Sequence, residues 1–369
     1  MEGQPPELKP APCIIHYSFY NDSFTFSQDS IHGKLANETC TTFLCRNHVK
    51  RRWYCYILIF TCILALTIGF VGNIAVLLKY VFWKKSWTNS IIFLFNLALC
   101  DLTWILTVPI SVAFNLQKLG LHSAQKFCWI KKIFLNINIY GSIFFLMLIS
   151  FDRYVGSVHP LSSLKWWDKR KAIFCTIAIW IFLLIEAIPD FYYTIATHRS
   201  DKILICLDNI QGPLDYVIPI ILCRTILGFI VPFTIIFTCY VLMLNVLRKL
   251  KKHRHRKNRI VKPLMLVSAS VLVFTISFAP YHVMMMVLLF YRINYLINPE
   301  NISLMYAIYE FTETICSISS CLDFVLFIFA SNKACDKLKV MKCSSRSPCH
   351  CCQSWKVEDI TILLEARQN

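Results

Sequence analysis

The chain has 369 residues, of which 56% are hydrophobic and 16% charged, and its formal net charge is +17. A soluble globular domain is typically about 45–50% apolar, so an excess drawn out in long runs argues against one and points to a membrane protein. The positive charge is concentrated between the apolar runs, which argues against a nucleic-acid interface.

In chain order, residues 1–53 read as a polar tail. Its start, MEGQPPELKP, holds no apolar stretch resembling a cleaved signal peptide, so the first span is expected to act as the targeting signal. The tail carries sequons at Asn21-Asp22-Ser23 and Asn37-Glu38-Thr39, and the cysteines Cys13, Cys40 and Cys45. Three cysteines are an odd number, so one of them needs a distant partner or stays free. Seven apolar runs follow, at about 54–80, 89–113, 127–152, 172–195, 214–246, 263–291 and 304–330. Each is long enough for a spanning helix, which needs roughly 20 residues. The third run opens with Lys131-Lys132 and the fifth is interrupted by Arg224. A charge within a span usually faces the bundle interior or a cavity.

The connections after the first, third and fifth runs are basic. They hold Lys84-Lys85, then Lys165, Lys169, Arg170 and Lys171, then the stretch from Arg248 to Lys262. Short Lys/Arg-rich loops mark the cytoplasmic side, so the N-terminus is expected outside, at the plasma membrane. Lys50-Arg51-Arg52 runs against this and is outvoted by the later loops. A third sequon, Asn301-Ile302-Ser303, falls on the same outer side. Cysteines within the runs, such as Cys62, Cys100, Cys175, Cys239 and Cys316, read as small buried hydrophobes.

The expected fold is an all-α membrane protein. A seven-transmembrane helix bundle covers 54–330, and a cytoplasmic tail covers 331–369. The tail opens with a short basic amphipathic helix, Asn332 to Lys342, followed by Cys343, Cys349, Cys351 and Cys352. Juxtamembrane cysteines are palmitoylation sites by position, and Cys-His-Cys-Cys leaves metal ligation as the alternative. Short loops leave no room for a soluble catalytic domain, and no Walker loop, HExxH or GxSxG is present, so no enzyme is expected. Two acids, Asp101 and Asp323, lie within spans, where a carboxylate costs several kcal/mol unless paired or hydrated. Pro280 has no N–H and should kink the sixth helix.

An ordered set of motifs, one or two per span, carries a resemblance. They are Gly72-Asn73, NLALCD ending at Asp101, Cys128 with Asp152-Arg153-Tyr154, Trp180, Pro232 with Tyr240, and Phe274-x-x-x-Phe278-x-Pro280. Over about 54–342 the chain resembles the rhodopsin-like (class A) G-protein-coupled receptors. NINIYGSIFF, HPLSSL, PYHV and YAIYEF look like the metabotropic nucleotide (purinergic) receptors, on the ADP-receptor side, with succinate-type receptors as near relatives.

The resemblance implies an extracellular small ligand, a heterotrimeric G protein and membrane lipids as partners, and no nucleic acid. It implies a coupling face at Asp152, Arg153 and Tyr154, with Arg153 paired to Asp152 at rest, and a disulfide between Cys128 and Cys206. Asp101, Ser142 and Asp323 are expected to hold a sodium ion as an allosteric ligand, with no other cofactor. Ile143, Pro232, Tyr240, Phe274, Phe278, Pro280, Asp323 and Phe327 form the switch. Lys131, Lys132, Tyr140, Asp208, His282, Met285 and Glu313 form the ligand pocket, in which relatives hold phosphates or carboxylates on cations.

Two departures bear on function. Met285 and Glu313 stand where those relatives place cations, and Asp323-Phe324-Val325-Leu326-Phe327 replaces Asp-Pro-x-x-Tyr. The expectation is a purinergic-receptor-like G-protein-coupled receptor with weakened nucleotide binding. The alternatives are a non-signalling or decoy receptor, or a receptor for a different small ligand such as a carboxylate or lipid.

Overall fold

A computed structural model describes residues 16–20, 23–27, 60–61, 63–82, 87–108, 121–160, 166–196, 214–249, 254–296 and 299–330. Seven helices are seen among them: α1 (Phe70–Phe82), α2 (Asn89–Ile105), α3 (Leu121–Val158), α4 (Lys169–Ala196), α5 (Leu214–Lys249), α6 (Arg254–Ile293) and α7 (Pro299–Ala330). α1 follows a wider π-type turn, Ala65–Gly69. One compact unit covers Met1–Phe327, and Ile328–Asn369 forms a second, of which only the last residues of α7 are described.

The bundle is all-α, as the apolar runs require. The tail adds an element that the hydropathy pattern did not contain, an antiparallel hairpin of β1 (His16–Tyr20) and β2 (Ser23–Ser27), paired from His16↔Ser27 to Tyr20↔Ser23. Its strands, HYSFY and SFTFS, are rich in aromatic residues, which suit a pleated strand. Only Asn21-Asp22 separates them.

Among the described residues, four helices are long and apolar enough to cross a membrane: α4 and α5, and the apolar stretches Ile130–Val158 of α3 and Ile260–Ile293 of α6. Two shorter apolar helices cover Leu66–Phe82 and Asn89–Ile105. Large apolar side chains point outward from the bundle, among them Phe174, Leu184 and Ile188 on α4 and Leu272, Ile276 and Val283 on α6. Asn73, Asp101, Asn138, Ser142 and Asp323 are instead fully buried, at 0% exposure. Apolar groups outside and polar groups inside is the arrangement that lipid imposes.

The helices differ in length from the apolar runs for a simple reason. Hydropathy marks the stretch suited to lipid, whereas backbone hydrogen bonding continues into charged segments. α3 and α6 therefore outrun their apolar cores at both ends. α2 stops at Ile105, before the apolar run does, and its last turn tightens as Thr107 N–H donates to Trp104 O at 2.8 Å.

α3 lies at the centre, packed on α2, α4, α5 and α6. In the most apolar 18 residues of α3, 72% are buried, against 22% in those of α4. Gly141 permits close approach to α2, because a Cβ there would lie 2.5 Å from Cys100 Sγ. In α5, Pro232 offers no N–H to the carbonyl of Gly228, and the helix widens into a π-type turn at Ile226–Ile230. In α6, Pro280 removes the same kind of bond mid-helix.

Candidate functional site

At one end of the bundle, charges from four helices meet. Lys131 Nζ on α3 lies 2.7 Å from Glu313 Oε2 on α7. The next residue, Lys132, turns to α4, where its Nζ lies 2.8 Å from Asp190 Oδ1. Arg224 of α5, only 8% exposed, donates from Nη2 to Asp190 Oδ2 at 2.6 Å and from Nε to Glu186. Asn136 Nδ2 adds a bond to Asp190 Oδ2 at 2.8 Å. Helical spacing explains the grouping: Glu186 and Asp190 are four residues apart on α4, as are Lys132 and Asn136 on α3, so each pair shares a face. Three cations, Lys131, Lys132 and Arg224, thus meet three carboxylates, Glu186, Asp190 and Glu313.

Below this network, aromatic rings fill the centre. The ring of Tyr140 meets that of His282 edge-on at 5.9 Å, and His282 stacks on Phe229 at 4.4 Å. Phe229 stacks on Phe274 at 5.1 Å, and Phe274 meets Phe278 edge-on at 5.8 Å. Gly228 makes room for Tyr140, since a Cβ there would lie 2.6 Å from its ring. His282 Nδ1 lies 2.9 Å from Phe278 O, whereas its buried Nε2 has no hydrogen-bond partner among the described residues. Ile143 and Met285 are buried beside this column.

The middle of the bundle holds the intramembrane acids. Asp101 Oδ1 accepts from Asn138 Nδ2 and Ser320 Oγ, each at 3.1 Å, and from Ser142 Oγ at 3.5 Å. Asn73 Nδ2 ties α1 to α7 through Ser320 O at 3.1 Å. Asp101 Oδ2, both carboxyl oxygens of Asp323, and the side-chain oxygens of Asn73 and Asn138 are buried without a hydrogen-bond partner among the described residues. Two carboxylates, two amide oxygens and the hydroxyls of Ser142 and Ser320 are hard oxygen donors of the kind that suits a small cation. The residues therefore fit the expected sodium ion.

At the far end, no ion pair between Asp152 and Arg153, the pair expected at rest, is seen among the described residues. Ser90 donates to Asp152 Oδ2, and the indole of Trp167 donates to Oδ1 at 2.9 Å. Arg153 Nε is buried without a hydrogen-bond partner among the described residues. The physical reason lies in helix geometry: adjacent residues point about 100° apart, so Asp152 faces α2 and the start of α4 instead of its neighbour. Asn89 Nδ2 donates to Trp167 O at 3.2 Å, and Phe151 packs edge-on against the Trp167 ring at 5.1 Å, which fixes the indole. Tyr154 and Tyr240 pack on a cluster of Met243, Ile260, Leu264 and Val267 from α5 and α6.

This arrangement can be set beside known proteins. The family description "7 transmembrane receptor (rhodopsin family)" matches residues 72–327. The chain belongs to this family. It is similar to purinoceptor 1 of Homo sapiens, with 32% identity over 318 residues, 83% of each chain. The Mus musculus protein of that name is 30% identical over 315 residues, again 83% of each chain. Succinate receptor 1 of Rattus norvegicus is 28% identical over 251 residues, covering 67% of this chain and 77% of the relative. The chain is therefore a divergent, purinergic-like, rhodopsin-family G-protein-coupled receptor, and the family is one of multi-pass membrane receptors, not of enzymes.

Within this receptor, several expected residues lie outside the described ones: Cys206, Asp208, the sequons at Asn21 and Asn37, and Cys343, Cys349, Cys351 and Cys352. The side chains of Cys128, Asn301 and Phe324 are likewise outside, as is the segment 332–342. The remaining pocket residues fall in two groups. Lys131, Lys132 and Glu313 join the ionic network, while Tyr140, His282 and Met285 join the ring column. Lys131 and Lys132, expected to hold an anion, are each bound to an acid of the chain itself. Sequence reasoning missed Glu186, Asp190 and Asn136. Their signal was present in two acids spaced i, i+4 within an apolar run, opposite an Arg in the next run.

Proposed function

We propose that this receptor takes an extracellular ligand at the Lys131 end and couples to a heterotrimeric G protein at the Arg153 end, with the N-terminus outside. The observation that supports it best is the run of buried groups between the two ends. It passes from the Lys132–Asp190–Arg224 network through Tyr140, His282, Phe229 and Phe274 to the cluster around Tyr154 and Tyr240. A ligand that shifts α5 or α6 at one end moves this packed column, because packed interiors are bistable and not continuously deformable. Pro280 gives α6 a weak point about which its inner end can swing.

Ile143, Pro232, Phe278, Asp323 and Phe327 are read as parts of the same switch. Asp101, Ser142, Asp323, Asn138 and Ser320 are read as a sodium site, where the ion would neutralise the two acids. A bridge between Cys128 and Cys206, glycans at Asn21, Asn37 or Asn301, and lipid on Cys343, Cys349, Cys351 or Cys352 belong to the same reading. The name purinoceptor gives those relatives purine ligands. In this chain Met285 is uncharged and Lys131 is committed to Glu313, which disfavours a polyphosphate.

The test is recruitment of engineered G proteins to the full-length receptor in cells, with and without nucleotides, dicarboxylates and lipids, against Arg153→Ala. Recruitment that Arg153→Ala abolishes supports coupling. No recruitment by any G-protein class, with normal surface expression, would instead favour a decoy receptor, a reading consistent with Phe327 lacking a hydroxyl for Tyr240.

A further inference from the structure

We propose that Gly156 is where the G protein approaches α3 most closely, and that the residue is a glycine for the sake of that contact and not for the bundle. The inference rests on the coupling reading above and names a contact residue at that same end.

A glycine within a helix is usually explained by packing or by backbone conformation. Packing accounts for Gly69, Gly141 and Gly228, where an added Cβ would lie 3.0, 2.5 and 2.6 Å from the side chains of Ile105, Cys100 and Tyr140. At Gly156 nothing among the described residues lies within 4 Å of the added atom. Conformation gives no reason either. No described glycine has a positive φ, and Gly156 lies inside α3, two residues before its end at Val158. A glycine there weakens the helix relative to alanine, because it loses more backbone freedom on folding. The described bundle therefore gains nothing from it.

The faces of α3 locate the residue. Asp152 turns to Ser90 and Trp167. Tyr154 and Val158, one turn apart, pack on the cluster of Met243, Ile260, Leu264 and Val267 from α5 and α6. Val155 is buried, at 2% exposure. Arg153 and Gly156, three residues apart, share the face that remains. Gly156 is exposed there, and Arg153 Nε has no hydrogen-bond partner among the described residues.

A guanidinium with an unfilled donor and, one turn on, a bare stretch of helix backbone suit another polypeptide. The donor can bond a carbonyl or carboxylate oxygen. The missing side chain lets a second backbone lie against α3 at a distance that a Cβ would forbid, as small residues do between packed helices. A small solute gains no charge or hydrogen-bonding side chain from a glycine, whereas a packed protein segment gains many van der Waals contacts. The occupant is thus a protein segment, and the partner that the receptor family implies is the heterotrimeric G protein.

The test uses purified full-length receptor in nanodiscs, as the unmodified chain, Gly156→Ala and Gly156→Leu. Two quantities are read. One is the affinity for nucleotide-free heterotrimeric G proteins of each main class, with and without nucleotides, dicarboxylates and lipids. The other is the melting temperature of the receptor alone. Affinity should fall at least about tenfold in Gly156→Ala, as overpacking at a tight contact does, and should be lost in Gly156→Leu. The melting temperature of the receptor alone should stay level or rise in both. A role confined to the fold would move the two quantities together.

Unchanged affinity in Gly156→Ala overturns the proposal, whatever Gly156→Leu does. A lower melting temperature of the receptor alone in either variant also overturns it, because a segment of this chain then fills the space. An unmodified receptor that binds no G protein of any class overturns the coupling reading and this proposal with it. The proposal fails by itself when the unmodified receptor binds a G protein and Gly156→Ala binds it equally well.

Discussion

Arg224 shows how a single residue can hold an element in place. It is nearly buried and pairs with both Glu186 and Asp190, whose second charge is balanced by Lys132. Arg224→Met should therefore lower stability by about 3–5 kcal/mol, the cost of a buried charge left unpaired. Melting temperature and surface expression measure it. Arg224→Met with Glu186→Met should recover most of the loss, because Lys132 and Asp190 then balance one to one. Trp167 acts in a comparable way at the far end. Its indole occupies one oxygen of Asp152 while Ser90 occupies the other, and this leaves Arg153 unpaired by Asp152. Trp167→Phe frees an acceptor for Arg153, so ligand-free G-protein recruitment should fall. Asp152→Asn should change recruitment little, since no Asp152–Arg153 ion pair is seen among the described residues. A large rise on Asp152→Asn would show that such a pair forms at rest.

At the scale of elements, close helix contacts are set by small residues. α2 and α3 approach so tightly at Gly141 that an added Cβ would meet Cys100 Sγ at 2.5 Å and Cys100 Cβ at 3.2 Å. Gly141→Ala should cost about 1–3 kcal/mol through overpacking, seen as a lower melting temperature. Cys100→Ala in the same chain should restore much of it, because the nearest clashing atom is then gone. The acids between α2 and α7 provide a second test. Buried oxygens of Asp101, Asp323, Asn73 and Asn138 lack hydrogen-bond partners among the described residues, and a cation there would bind the folded bundle alone. Replacing choline chloride with sodium chloride at constant ionic strength should raise the melting temperature, and Asp101→Asn should remove the effect. A sodium response unaltered by Asp101→Asn would locate the ion elsewhere.

For the whole molecule, orientation follows from charge. In the proposed orientation the basic loops after the first, third and fifth spans face the cytoplasm and the tail lies outside, where Asn21 and Asn37 would carry glycan. Expression in animal cells with both sequons removed should raise gel mobility. Unchanged mobility, with an N-terminal tag reached only after permeabilisation, would reverse the topology.

The sequence by itself determined the seven spans, the order of their motifs and the separation of basic from less basic loops, because hydropathy and net loop charge are sums over neighbouring residues. The family was legible for the same reason, since each motif is a short local pattern. Which charge meets which was decided only by tertiary structure. Lys131 and Glu313 are 182 residues apart, and Arg224 and Glu186 are 38 apart. Lys131 and Lys132 are neighbours in sequence yet pair with different helices. Asp152 likewise bonds Ser90 and Trp167, not the adjacent Arg153. The reason is that each helix turns about 100° per residue, so consecutive side chains face different neighbours, and the partner is set by how the helices are rotated and packed.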